Sequence, residues 1–249
     1  MSRKSIEDKN ACQLGSRFLN WGHRGASGHA PENTLLAFQT AMAMGADGIE
    51  CDIRESRDGK SIIFHDATLK RIAGRSTPIH QLSLAEIRKI DAGDGERIPT
   101  LTELLINTPP DFLLNLEIKK VRPEKLLNAI YRHNAQYRVL ISAFDSAMLI
   151  RIRSLDSVIS LGYLVDRKAE CSVFKKANAM KAQALHFSRS LITENKIARV
   201  HREGFLVYAY TVDAPNQMSH FITIGMDGLF TNYPDRLSRA REKGNRKDI

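Results

Sequence analysis

His23-Arg24-Gly25, Pro31-Glu32-Asn33-Thr34, Glu50-Cys51-Asp52 and Phe64-His65-Asp66 follow one another within one run of the 249-residue chain, and the reading of that run decides the fold. Side chains on a β-strand alternate faces, so between Gly48 and Glu55 the acids Glu50 and Asp52 point one way and Cys51 the other. Two carboxylates on one face repel each other unless something positive lies between them. A hard divalent cation, Mg²⁺ or Ca²⁺, is the natural candidate, because such ions take oxygen ligands and are held by a few carboxylates together with water and substrate oxygens. Arg57-Asp58-Gly59-Lys60 then reads as a turn and Ser61 to His65 as a returning strand. So short a connection holds no crossover helix, so the two strands are expected to pair antiparallel, bringing His65 back toward the level of Glu50 and Asp52.

Outward from this run, Arg17 to His23 reads as a first strand with His23 at its carboxyl end. Asn33 or Thr34 suits the cap of a helix running to about Met44, with Leu35, Phe38, Ala41 and Met42 at helical spacing, and from the residues alone capping is the expectation for Glu32 and Asn33 as well. Downstream, Leu114-Asn115-Leu116-Glu117-Ile118-Lys119 repeats the alternation. It sets a third carboxylate, Glu117, on the same face as an ammonium, Lys119. Strands are then expected over 112–118, 138–143, 158–165, 184–187, 205–212 and 227–231, with helices between them and a last helix over 234–242. The returning strand is an appendage, so eight parallel strands alternate with helices. That pattern predicts an α/β fold, a (β/α)8 TIM barrel with a small insertion after the second strand, in which residues 1–249 form one domain. The insertion is expected over about 54–98, with Ser83-Leu84-Ala85-Glu86 opening a helix by a capping box, and a basic tail over about 238–249.

His23-Arg24-Gly25, Pro31-Glu32-Asn33-Thr34, Glu50-x-Asp52, His65-Asp66 and Leu116-Glu117-Ile118-Lys119, in this order, resemble the glycerophosphodiester phosphodiesterase family from about Phe18 to Asp235. The resemblance implies a (β/α)8 barrel, a divalent metal, and hydrolysis of glycerophosphodiesters to glycerol 3-phosphate and an alcohol. On that reading Glu50, Asp52 and Glu117 bind the metal, Arg24 and Lys119 grip phosphate oxygens, and His23 and His65 serve as general base and general acid in an order left open. The resemblance also leaves open a part for Glu32 and Asn33 in orienting Arg24 or His23. The attacking oxygen is water or a neighbouring glycerol hydroxyl. Three positions depart from the family pattern: Tyr210 stands for a tryptophan before Thr211-Val212, Asn232 for an aspartate after Thr231, and Ala143 for a serine before Phe144. Tyr210 still offers an aromatic wall to a glycerol or alcohol group.

The remaining composition narrows the partners. Lys and Arg exceed Asp and Glu by 37 to 28, a net charge of +9. No zinc finger, RNA-binding aromatic motif or heptad repeat accompanies that excess, so a small phosphate-bearing molecule is expected rather than a nucleic acid, and much of the charge reads as a solvated end, Arg236 to Lys247. No apolar run is long enough to cross a bilayer, and residues 1–16 lack the apolar core of a signal peptide, so stable membrane insertion is not expected and the cytoplasm is. Cys12, Cys51 and Cys171 read as free thiols in a reducing compartment. His29, His80, His133, His186, His201 and His220 receive no role, and Lys120 is expected to face outward. Two rival readings remain, a phosphoinositide-type phospholipase on a similar barrel and a non-catalytic phosphodiester-binding barrel. The oligomeric state is not read from the sequence.

Overall fold

Strands alternate with helices from β1 (Leu19–His23) onward in a computed structural model that describes residues 14–15, 17–166 and 172–245. Next come α1 (Leu35–Ala43), β2 (Gly48–Glu55) and β3 (Ser61–Ile63), and an excursion carrying two one-turn helices, α2 (Lys70–Ala73) and α3 (Leu84–Ile87), before α4 (Leu101–Asn107). The repeat then runs β4 (Leu113–Lys120), α5 (Pro123–Arg132), β5 (Val139–Ala143), α6 (Ser146–Leu155), β6 (Ser160–Val165) and α7 (Val173–Met180). It ends with β7 (Ala184–Ser188), α8 (Glu194–Arg202), β8 (Leu206–Tyr210), α9 (Pro215–Thr223), β9 (Gly228–Thr231) and α10 (Pro234–Asn245). Neighbouring strands lie in the order β1-β9-β8-β7-β6-β5-β4-β2, all parallel, and β1 pairs with β2 to close the ring. β3 is antiparallel to β2, with Ile63 opposite Ile53. The closed (β/α)8 barrel and its hairpin are thus the expected ones.

Alternation along each strand sorts the side chains. Ile49, Cys51 and Ile53 of β2 point outward into the apolar layer beneath the helices, where all three are buried. Leu19, Trp21, Leu140, Ala184, Tyr208 and Phe230 point inward and form a separate apolar cluster. Trp21 stacks on Phe230 at 5.8 Å between ring centroids and meets Tyr208 edge-on at 6.1 Å. Burying each such side chain contributes about 1.5–3 kcal/mol. The interior next to the amino ends of the strands is therefore solid. Open space is left toward the carboxyl ends, where barrels of this kind keep their chemistry.

Local signals act largely as the sequence suggests, with one difference that matters for the site. Thr34 caps α1, its hydroxyl accepting from the Ala37 N–H at 3.1 Å, and Ser83 and Thr100 form capping boxes with Glu86 and Glu103. Asn33 and Glu32 are not caps; both side chains turn toward the acids of β2 and Arg24 instead. The excursion has its own core, in which Ile62, Phe64, Leu69, Ile79, Ile87 and Ile98 are buried together. His65 therefore enters the site on a packed unit tied to barrel strand β2 by the Phe64 N–H donating to the Asp52 carbonyl at 2.9 Å.

α10 runs beyond the expected 242, and two residues of the expected solvated end are docked: Arg241 donates to Asp47 at 2.6 Å, and the Arg236 guanidinium lies 3.6 Å from the Tyr233 ring centroid. Arg246 and Lys247 lie outside the described residues, as do Cys12 and Cys171, while Cys51 is a free, buried thiol. Among the described residues no helix is long and apolar enough to cross a membrane.

The turn after β1 needs glycine. Gly25 has φ 82°, and a Cβ added there would meet the Ala37 carbonyl carbon and oxygen at 2.6 and 2.7 Å. Those are backbone atoms of α1, which do not step aside. Gly25→Ala is expected to destabilise by roughly 2–4 kcal/mol through the strained dihedral and the clash together. Thermal denaturation should show a fall of about 5–15 °C in Tm; a fall under about 2 °C would mean that the turn relaxes freely.

Candidate active site

Two adjacent strands bring the acids together, and a third sets His23 beside them. In the register, Glu50 of β2 lies beside His23 of β1, and Asp52 lies beside Glu117 of β4. Each of Glu50, Asp52 and Glu117 offers a carboxylate oxygen, these oxygens all lie within 4.8 Å of one another, and all three residues are buried. Burial pushes the Glu50 carboxyl well up, and repulsion from Asp52 and Glu117 pushes it further; burial and then Asp52 do the same to Glu117. Asp52 goes the other way. Burial raises it, but Lys119, Arg24 and His65 together outweigh burial and hold it below the usual carboxylate range.

Two cations are already built around these acids. Lys119 Nζ lies 3.2 Å from Asp52 Oδ1 and donates to Glu117. The Arg24 guanidinium donates to Glu32 at 2.9 Å and lies 3.3 Å from Asp52. The turn at Gly25 presents the Arg24 backbone N–H to Glu50 Oε2 at 2.9 Å, with Arg24 itself at φ 54°. Glu50 Oε1 remains buried with no hydrogen-bond partner. Oxygen-only donors, surplus negative charge and an orphaned carboxylate oxygen fit a hard divalent cation and no soft metal. The triad could therefore hold a divalent ion.

The two histidines are held differently. His23 Nδ1 lies 2.7 Å from Asn232 Oδ1, which also accepts from the Ser27 hydroxyl at 2.7 Å. The orientation of the Asn232 amide is determined by Asp213, whose carboxylate accepts from Asn232 Nδ2 at 2.8 Å and from the Asn232 backbone N–H at 2.8 Å. A carboxylate only accepts, so the amide oxygen must face His23, and Nδ1 must carry the proton. His23 Nε2 then holds the lone pair, 3.9 Å from Glu50 Oε2. Burial, and after it Arg24, lowers the His23 pKa below its ordinary value, which keeps the ring neutral. His65 Nδ1 instead donates to the Asp66 carboxylate at 2.7 Å, and Arg71 donates to the same carboxylate at 2.8 Å. Arg54 grips the His65 carbonyl from two guanidinium nitrogens, at 2.9 and 2.7 Å.

One cavity of about 240 Å³ is lined by His23, Arg24, Glu50, His65, Glu117, Lys119 and Tyr210, so seven of the eight residues singled out from the sequence share it, with Asp52 alongside through Lys119. Tyr210 meets Phe144 edge-on at 6.1 Å, and its hydroxyl donates to the Val165 carbonyl at 3.3 Å. The family resemblance leaves open a part for Glu32 and Asn33 in orienting Arg24 or His23, while Asn232, Asp213 and Arg71 are not among the residues it singles out for a role. Asn33 donates to Asp52 at 2.8 Å, Glu32 joins Arg24 to Arg71, and Asn232 and Asp213 orient His23. Asn115, two residues before Glu117 and hence on its face, was within reach of the same period-two argument. His186, set aside as a lone histidine, lines the same cavity.

The sequence matches the glycerophosphoryl diester phosphodiesterase family over residues 23–236. It is 35% identical over 239 residues to a glycerophosphodiester phosphodiesterase of Caldanaerobacter subterraneus, covering 89% of this chain and 97% of that protein. It is 30% identical over 256 residues to a glycerophosphodiester phosphodiesterase of Bacillus subtilis, covering 91% and 87%. A solved phosphodiesterase of Oleispira antarctica, in complex with the product sn-glycerol-3-phosphate, superposes with a TM-score of 0.84 at 27% identity, covering 92% of this chain and 99% of that one.

Proposed function

We propose, since this chain belongs to the glycerophosphoryl diester phosphodiesterase family, that it cleaves glycerophosphodiesters to glycerol 3-phosphate and an alcohol with a divalent cation, Mg²⁺ or Ca²⁺, and two histidines in opposite roles. That it is a glycerophosphodiester phosphodiesterase follows from the family; the residue roles are our reading. The observation that carries them is the meeting of three acids from two adjacent strands, two of which line one cavity together with both His23 and His65.

Glu50, Asp52 and Glu117 would hold the cation, which when bound supplies Lewis-acid neutralisation of charge on a non-bridging phosphate oxygen. Arg24 and Lys119 add fixed positive charge for the remaining phosphate oxygens, Arg24 in two-point fashion and Lys119 as a point charge. His23 is the base: its Nε2 lone pair takes the proton of the attacking oxygen as the new P–O bond forms. His65 is the acid, giving its Nε2 proton to the alkoxide as the other P–O bond breaks. The assignment rests on what backs each ring. Asp66 gives a histidinium at 65 a carboxylate to face, whereas Asn232 gives His23 only a neutral amide.

Release of glycerol 3-phosphate from a panel of glycerophosphodiesters, including glycerophosphocholine, tests the reading. Chelation is expected to lower turnover by about 10³-fold, and added Mg²⁺ or Ca²⁺ to restore it. Turnover that survives exhaustive chelation would count against the cation.

A further inference from the structure

The cavity does not stop at the acids. It continues inward to His186 of β7 and Asn115 of β4, both of which line it and both of which are buried. His186 lies with its ring centroid 5.1 Å from Phe230 and 5.3 Å from Tyr208. On the neighbouring strand β6, a Cβ added at Gly162 would come within 2.6 Å of His186 Nε2, so the imidazole occupies the space a side chain would fill. Neither ring nitrogen has a hydrogen-bond partner, and Asn115 Oδ1 has none either.

An apolar residue would suit this ring of aromatics better, since a buried donor and acceptor left unpaired are costly. Burial drives the His186 pKa down to about 3, so the ring is neutral and offers one N–H donor and one nitrogen acceptor. A phosphate oxygen cannot donate, and Arg24 and Lys119 already supply positive charge for it nearer the mouth. A hydroxyl both donates and accepts and carries no charge. Phosphodiesters of the proposed substrate class have such groups on glycerol, while the second alcohol varies.

We propose that His186, with Asn115 lining the same cavity, forms a buried subsite that reads a hydroxyl of the substrate's glycerol, so that glycerol enters the barrel and the variable alcohol stays at the mouth beside Phe144 and Tyr210. This rests on the glycerophosphodiesterase reading above. It adds that glycerol is recognised by a neutral imidazole and not by the phosphate-binding groups alone.

Calorimetric titration of the metal-loaded enzyme with sn-glycerol 3-phosphate, propyl phosphate and inorganic phosphate tests it without requiring turnover. Wild type should bind glycerol 3-phosphate about tenfold or more tighter than propyl phosphate, which lacks both hydroxyls. His186→Leu should erase most of that difference while leaving inorganic phosphate affinity unchanged, and His186→Gln, which keeps a donor and an acceptor, should restore part of it. If the leucine variant does not fold, His186→Met carries the same comparison. A hydroxyl preference of equal size in wild type and variant, or an equal loss for all three ligands, overturns the subsite. Failure of wild type to release glycerol 3-phosphate from any diester of the panel would instead overturn the parent reading, and the two failures are read in separate assays.

Discussion

Glu50→Gln and Glu117→Gln should each lower kcat/KM for glycerophosphodiester hydrolysis by roughly 10³-fold or more, and each should weaken divalent-ion binding measured by calorimetry. The size follows from what the acids are asked to do: charge neutralisation by a bound cation is worth several kcal/mol, and each 1.4 kcal/mol is a factor of ten in rate. Glutamine keeps the shape and one oxygen, so a loss on that scale reports charge and not packing. Both acids are buried beside further carboxylates, and burial followed by mutual repulsion already pushes them up. Such a cluster is poorly suited to anything but a cation. Cys51→Ala is the internal control, because Cys51 lies between Glu50 and Asp52 in the chain but on the opposite face, in the layer under the helices. It is expected to lose about 1–2 kcal/mol of stability and little activity. If the glutamine variants keep more than a tenth of wild-type kcat/KM, the triad is not the cation site.

His23→Ala and His65→Ala should lower kcat by about 10²–10⁴-fold with smaller changes in KM, the pattern of a group that acts on a proton in the transition state. The pair then separates on a diester whose leaving group is a nitrophenolate, which departs without needing a proton. His65→Ala should recover most of its activity on that substrate. His23→Ala should not, because the attacking oxygen still has to lose its proton. The reverse pattern would exchange the two roles, and it would mean that Asn232 and Asp213 hold His23 in place for something other than base catalysis. The asymmetry is physical: one ring is backed by an amide oriented by Asp213, the other by a carboxylate held by Arg71.

Period-two spacing carries a long way in this chain. It puts Glu50 with Asp52 and Glu117 with Lys119, and it counts the strands that close the barrel, because each strand is a local pattern and a parallel ring follows from their alternation with helices. Turn chemistry at Asp58-Gly59 does as much for His65. What spacing does not contain is convergence at the mouth. Asn33 looks like a cap because it stands before a helix; only the fold shows that Thr34 does the capping and Asn33 reaches Asp52. Asn232 looks like a departure from an aspartate; only the fold shows an amide between His23 and Asp213. His186 has no acidic neighbour in sequence to single it out. Its meaning lies in Gly162 and Phe230, brought beside it by barrel closure. Arg71 is more remote still, since α2 belongs to the excursion and its partner Glu32 to the loop before α1.

The excursion packs on its own core and delivers His65, Asp66 and Arg71 as a set, while His23, Asn232 and Asp213 belong to the barrel proper. On the proposed roles, the two halves of the proton-transfer pair are thus carried by different structural units. A chimaera that receives this segment from a relative inherits a new acid, complete with its counter-charge, on an old base, and the Glu32 clasp to Arg24 and Arg71 is the seam where such a graft must match.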